Sequence, residues 1–183
     1  MAQEQEKKPL ASVYQDCMAF ISEHRSAVLA TLSSENMPEA SYAPVLVHNH
    51  CYYILISELA NHTQNLYKNP AVSLLFIEDE QSAENLFARK RATVKASGKI
   101  IARDSETWNT VLPKMSDRLG EMIDFLQTLS DFHLFELQPN SINFVRGFAQ
   151  AYTLEGPDLD TVTHRKGNKE GQGHGEGTLD ENI

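Results

Sequence analysis

Long apolar runs are missing from this chain, and so is any surplus of positive charge. Its 183 residues carry 16 Lys and Arg against 25 Asp and Glu, a net charge of −9. Proteins that bind DNA or RNA need a basic face, because phosphate neutralisation supplies much of their affinity. The body offers one dense basic cluster, Arg89-Lys90-Arg91, which suits a small anionic ligand better than a polyanion. No apolar stretch approaches the length that crosses a bilayer. The first ten residues, MAQEQEKKPL, are charged and hold no apolar core of a secretory leader. The expectations are no nucleic acid partner, no membrane insertion and a cytoplasmic location. Cysteine is scarce: Cys17 and Cys51 sit in apolar runs at a spacing that fits no CxxC site, and read as buried thiols. There is no HExxH, no P-loop, no GxGxxG, no internal repeat, and no Ser-His-Asp set that the expected fold would assemble.

What is present reads as one domain with a sizeable core, since 41% of the residues are hydrophobic. Residues 10–24 place Leu10, Val13, Tyr14, Cys17, Met18 and Ile21 on one stripe at the three-four spacing of an amphipathic helix, with Pro9 in its first turn. The period then shortens. Residues 26–33, 41–48 and 51–57 read as strands joined by short connections. A helix is expected over 58–68, with Ser57 as its N-cap and Asn69-Pro70 as its stop. Strands are expected at 71–77 and 90–103, with Gly98 marking a bulge or bend. Two helical stripes follow, one through Trp108, Val111, Leu112 and Met115, the other through Leu119, Met122, Ile123, Leu126 and Leu129. Strands over 131–138 and 142–152 close the domain. Six of the nine glycines lie from Gly156 onward, so 1–155 reads as the folded domain and 156–183 as a flexible Gly-rich tail. About seven strands joined largely by short turns predict a mainly β, antiparallel domain with peripheral helices, an α+β barrel rather than a doubly wound sheet.

Four segments carry a family resemblance: SYAPVLV, LISELANHTQNL, SLLFIEDEQSAENLFARKR and NFVRGFAQAY. In order and spacing they resemble the heme-utilisation proteins of the HutZ/HugZ family, over roughly residues 10–155. The resemblance implies an FMN-binding-type split β-barrel related to the pyridoxamine-phosphate oxidases, and a homodimer with heme held at the subunit interface. It further implies heme degradation with iron release, driven by an external electron donor or reductase, because no reductase domain is visible. This chain departs from the family pattern twice. Ala149 stands in GFAQAY where a second glycine is usual, and the chain runs on past THRKG to a further histidine, His174.

The resemblance nominates His164 as a site residue, and the residues themselves nominate the others. His164, in THRKG, is the expected axial ligand of the heme iron, carried on the tail as a lid; the other reading is a solvated histidine, and His174 is either a spare ligand or solvated. A carboxylate on the second ring nitrogen of a ligand histidine raises its basicity and pushes electron density onto iron. Asp131 is the candidate for that catalytic role, with loop capping as the alternative. In a dimer the two residues can come from different subunits. Arg89, Lys90 and Arg91 are expected to hold the heme propionates, Arg89 and Arg91 sharing one strand face. They would equally hold an FMN phosphate, or merely guard an edge strand. His62 follows Leu59 and Leu66 at helical spacing and reads as an inward histidine or a cofactor contact; Ser26, at the start of the first strand, is a weaker contact of the site. Two other functions stay open: an FMN-dependent oxidoreductase on the same barrel, and a non-catalytic heme carrier or store.

Overall fold

A computed structural model describes residues 2–165, with side chains from Leu10 onward; His174 lies outside the described residues. Helix α1 (Ala2–Glu23) leads into β1 (Ser26–Leu32), β2 (Pro38–Pro44), β3 (Leu46–His48) and β4 (Cys51–Ser57). Helix α2 (Asn61–Lys68), β5 (Ala71–Ile77), a single 3-10 turn (Leu86–Ala88) and β6 (Arg91–Ile101) follow. The chain continues through α3 (Glu106–Leu119), α4 (Met122–Leu126), β7 (Phe132–Gly147), β8 (Gln150–Glu155) and β9 (Thr161–His164). Every strand pair is antiparallel, in the order β2-β1-β5-β6-β7-β4-β3, with β8 and β9 added to β7. The hydrogen-bonded path stays open. Its two ends, β2 and β3, are consecutive in the chain and meet at Val45, whose N–H donates to the Arg25 carbonyl at 2.9 Å. This is the split barrel that the sequence pattern and the resemblance predicted.

Alternation fills the barrel. Leu29, Ile54, Leu74, Phe76, Val94, Phe135, Ile142 and Phe144 point inward and are buried, and Val13, Cys17, Phe20 and Ile21 of α1 close over them. Each such side chain contributes roughly 1.5–3 kcal/mol by leaving water. A second core lies outside the sheet, where Trp108, Val111, Leu112 and Met115 of α3 cover Leu46, Tyr53, Leu55 and Leu134. Strand β4 is therefore buried on both faces, which is why its sequence is an unbroken apolar run. Both cysteines are free and buried; burial pushes the Cys17 thiol up to about 12, against the opposing pull of the Lys90 cation.

Several boundaries differ from expectation, each for a local reason. The two strands expected at 131–138 and 142–152 form one strand, β7, that passes through Pro139. The β6–β7 ladder slips there, pairing Pro139 with Ala96 and Ser141 with Lys95, so the missing proline N–H falls at the irregularity. The stretch 41–48 breaks at Val45. Helix α2 begins at Asn61 with Ala60 as its N-cap, while the Ser57 hydroxyl accepts from the Leu59 N–H at 3.2 Å. Leu59 is consequently exposed, and the inward stripe drawn through Leu59, His62 and Leu66 does not form. Strand β9 lies within the segment read as a tail, so His164 sits on paired sheet opposite Tyr152.

Candidate functional site

The nominated residues gather into two groups at opposite ends of the barrel. The first surrounds the turn between β7 and β8. His164 is exposed; its Nε2 lies 3.1 Å from the Ala149 carbonyl and its ring 5.0 Å from that of Tyr152. An N–H must face that carbonyl, so the contact selects the Nε2-protonated tautomer when the ring is neutral. Ala149 occupies the left-handed region at φ 56°, which explains why glycine suits this position. Ala149→Gly is expected to stabilise the protein by about 0.5–1 kcal/mol, after subtracting the extra freedom of glycine in the unfolded chain. The shift of the urea midpoint measures it; an unchanged or lower midpoint contradicts the claim that alanine is strained here.

Beside this turn lies the 3-10 element Leu86–Ala88, and β6 starts opposite Val145. Arg89 precedes the strand: its guanidinium donates to the Glu78 carbonyl and pairs with Glu80 at 3.0 Å. Arg91 opens β6 and donates to the Arg89 carbonyl at 2.9 Å. The expected pairing of Arg89 with Arg91 on one strand face is therefore absent, because only Arg91 belongs to the strand. The edge-guard reading also falls, since β6 lies between β5 and β7. Lys90 turns back over the Phe20 ring at 5.0 Å and the Phe144 ring at 5.9 Å. Ser26 is exposed at the start of β1, two residues from His24, whose Nε2 is 3.3 Å from the Ile77 carbonyl; Ile77 in turn pairs with Arg91. Sequence reasoning missed the apolar members of this group. Phe87 is 92% exposed and Phe148 66%, in a short turn and a hairpin tip where no periodicity reveals which way a side chain points.

The second group surrounds the first turn of α2. The Ser57 hydroxyl donates to Asp131 Oδ2 at 2.9 Å, and the Glu58 N–H donates to the Asp131 carbonyl at 2.8 Å. Asp131 thus faces β4 rather than capping the loop after α4. Arg103 fixes that loop by donating to the Leu129 carbonyl at 2.7 Å and the Phe132 carbonyl at 3.1 Å. Glu58 and His133 pair at 2.7 Å alongside. Thr63, fully buried, donates to the Ser57 carbonyl at 2.6 Å and ties α2 to the same corner. One residue earlier, His62 Nδ1 lies 3.0 Å from the Ser41 hydroxyl, at a cleft of about 580 Å³ that Thr31, Glu39 and Tyr42 also line.

Burial lowers the proton affinity of His62 below its ordinary value of 6.5. The unfolded chain then takes up a proton near 6.5 that the folded chain resists. The stability linked to His62 is complete above that pH and is lost as pH falls from it toward the folded value. His62→Gln should flatten this part of the profile in urea melts between about pH 5 and 7; a slope identical to the parent's would show that His62 does not carry it.

Asp131 and His164 lie well apart along the sheet. His164 stands level with Tyr152 and, through it, with Phe144, thirteen positions along β7 from Asp131. That is about 40 Å of strand at the usual rise per residue. Between the two groups the outer sheet face carries Tyr42, Val28 and Leu75 in register; Tyr42 is 70% exposed and Val28 41%. Among the described residues no cluster of three or more His, Cys, Asp or Glu is placed to hold a bare metal ion, and no helix is long and apolar enough to cross a membrane.

A split barrel of this strand order defines a class of protein, and comparison with known proteins places the chain within it. The pyridoxamine 5'-phosphate oxidase family model matches residues 14–146. The heme oxygenase HutZ of Vibrio cholerae is 46% identical over 145 residues, which cover 79% of this chain and 82% of that protein. A crystal structure of Vibrio cholerae HutZ, there described as a heme storage protein, superimposes with a TM-score of 0.66 at 44% identity, covering 69% of this chain and 89% of that one. Campylobacter jejuni ChuZ superimposes with a TM-score of 0.76 at 30% identity; the match spans 84% of this chain and 62% of ChuZ. The chain belongs to the pyridoxamine 5'-phosphate oxidase family and, within it, to the HutZ type.

Proposed function

We propose that this protein binds heme between two copies of the chain and opens the porphyrin ring to release iron, using external electrons in the cytoplasm. One observation carries the reading: an exposed imidazole and a carboxylate braced by a serine stand at opposite ends of β7, with an apolar sheet face between them. A two-fold axis across that face sets the His164 end of one chain against the Asp131 end of the other. Tyr42 and Val28 then leave water at the interface.

The residues at the His164 end suit a heme. A porphyrin is a flat apolar ring with two carboxylates and an iron that takes an axial imidazole. Phe87 and Phe148 offer apolar surface to the ring, and His164 offers the ligand. Arg91 pairs with Val145 close to the turn, and Arg89 reaches a propionate only by leaving Glu80. Ligation through Nε2 requires His164 to release the Ala149 carbonyl. Asp131 of the opposite chain then receives the N–H of the other ring nitrogen, which orients the imidazole and raises its basicity. Heme supplies both the iron at which oxygen or peroxide is activated and the ring that is opened; the protein supplies orientation and electronics.

The test is a titration of the purified protein with heme and, separately, with FMN, followed by ascorbate. Stoichiometric heme uptake and a Soret band that bleaches with iron release support the reading. Flavin uptake without heme uptake would make the protein an oxidoreductase of the family's flavin-dependent kind. A Soret band that survives the reductant would make it a carrier or store.

A further inference from the structure

We infer that Ser57 is a positioning residue for heme breakdown, holding the Asp131 carboxylate in the one orientation from which it can engage the ligand histidine. The inference rests on the reading of Asp131 given above. A free aspartate samples several rotamers, and only some aim an oxygen at a given partner. Here the backbone and the side chain are fixed separately. The Glu58 N–H holds the Asp131 carbonyl at 2.8 Å, and the Ser57 hydroxyl holds Oδ2 at 2.9 Å. Among the described residues no donor engages Oδ1, and Asp131 is half-buried, so Oδ1 is the oxygen left to accept a further hydrogen bond.

Ser57 is itself immobilised. It is the last residue of β4, paired with Phe132, and its carbonyl accepts the Thr63 hydroxyl at 2.6 Å. The polar series Thr63, Ser57, Asp131 therefore runs from a fully buried threonine on α2 to a carboxylate at the surface. A supporting group that is locked by its own neighbours is what keeps a ligand partner within the tolerance catalysis needs. The Glu58–His133 pair stands beside this series and braces the turn, but it makes no contact with the carboxylate.

The experiment compares Ser57→Ala, Ser57→Thr and Asp131→Asn in the full chain loaded with heme. The iron–histidine stretching band of the ferrous complex, read by resonance Raman, reports how strongly the ligand histidine is hydrogen-bonded. Ser57→Ala should move this band downward, in the direction of Asp131→Asn, and slow heme breakdown about 10-fold. Heme affinity should stay within a few-fold of the parent, on the order of the experimental scatter. Ser57→Thr keeps a hydroxyl and should keep the parent band and rate. A Ser57→Ala band at the parent position, beside a shifted Asp131→Asn band, overturns the role of Ser57 and leaves that of Asp131 standing, whatever happens to the rate. Parent bands in both variants overturn both roles. Should Ser57→Ala fail to fold, Ser57→Val, which also lacks a donor, is read by the same band with the same outcomes.

Discussion

Replacing His164 with alanine is expected to remove the axial-imidazole signature from the heme complex and to slow heme breakdown by more than about 100-fold, beyond the range seen when only a ligand's supporting partner is lost. The fold should hardly notice. His164 is exposed, its contacts are one backbone carbonyl at 3.1 Å and the face of Tyr152, and substitutions at such surface positions usually shift stability by no more than about 0.5 kcal/mol. The near-silent stability is what makes the variant informative, because a lost signature then reports the missing ligand and not a collapsed barrel. A His164→Ala protein with an unchanged Soret band and iron–ligand signature removes His164 from the site. In that case the double variant with His174→Ala shows whether the second histidine is the ligand.

The barrel was legible because its period-two alternation is strong and its turns are short. Expecting strands at 26–33, 51–57 and 71–77 needed nothing beyond the pattern. Pro139 misled, because a proline ordinarily ends a strand and only a slip in the ladder with β6 lets β7 run through it. His62 was misplaced for a similar reason. Helical spacing placed Leu59 in the helix, whereas the turn after β4 delays the helix to Asn61 and turns His62 toward Ser41. The candidate site was harder to read than the fold. His164 was nominated through the family resemblance, and Asp131 because it opens a strand where aspartate is poor strand material, a signal that implies no particular partner. The hydrogen bond from Ser57 to Asp131 joins residues 74 positions apart, and only the β4–β7 pairing brings them together. Phe87 and Phe148 escaped because hydrophobic residues in turns carry no periodic signal.

Asp131→Asn should keep heme bound while slowing its breakdown about 10- to 100-fold, since the amide keeps the shape of the side chain but loses the charge that raises the basicity of the ligand. The larger effect comes from mixing chains. With His164 from one copy and Asp131 from the other, a dimer of one His164→Ala chain and one Asp131→Asn chain contains one doubly defective site and one intact site. Random pairing of equal amounts makes half of the dimers mixed, so turnover should recover to about one quarter of the parent's, from two preparations that are each nearly inactive. A site built within one chain has no such route, because every site in every dimer would then carry one of the two lesions. Recovery is measured after co-refolding or co-expression, with size-exclusion chromatography confirming a dimer. The absence of recovery in a mixture shown to contain mixed dimers would mean that His164 and Asp131 do not act as a pair across the interface. Their separation along the sheet, with His164 level with Phe144 and Asp131 just before Phe132, argues against their acting as a pair within one chain. That result would therefore remove the His164–Asp131 pair from the mechanism.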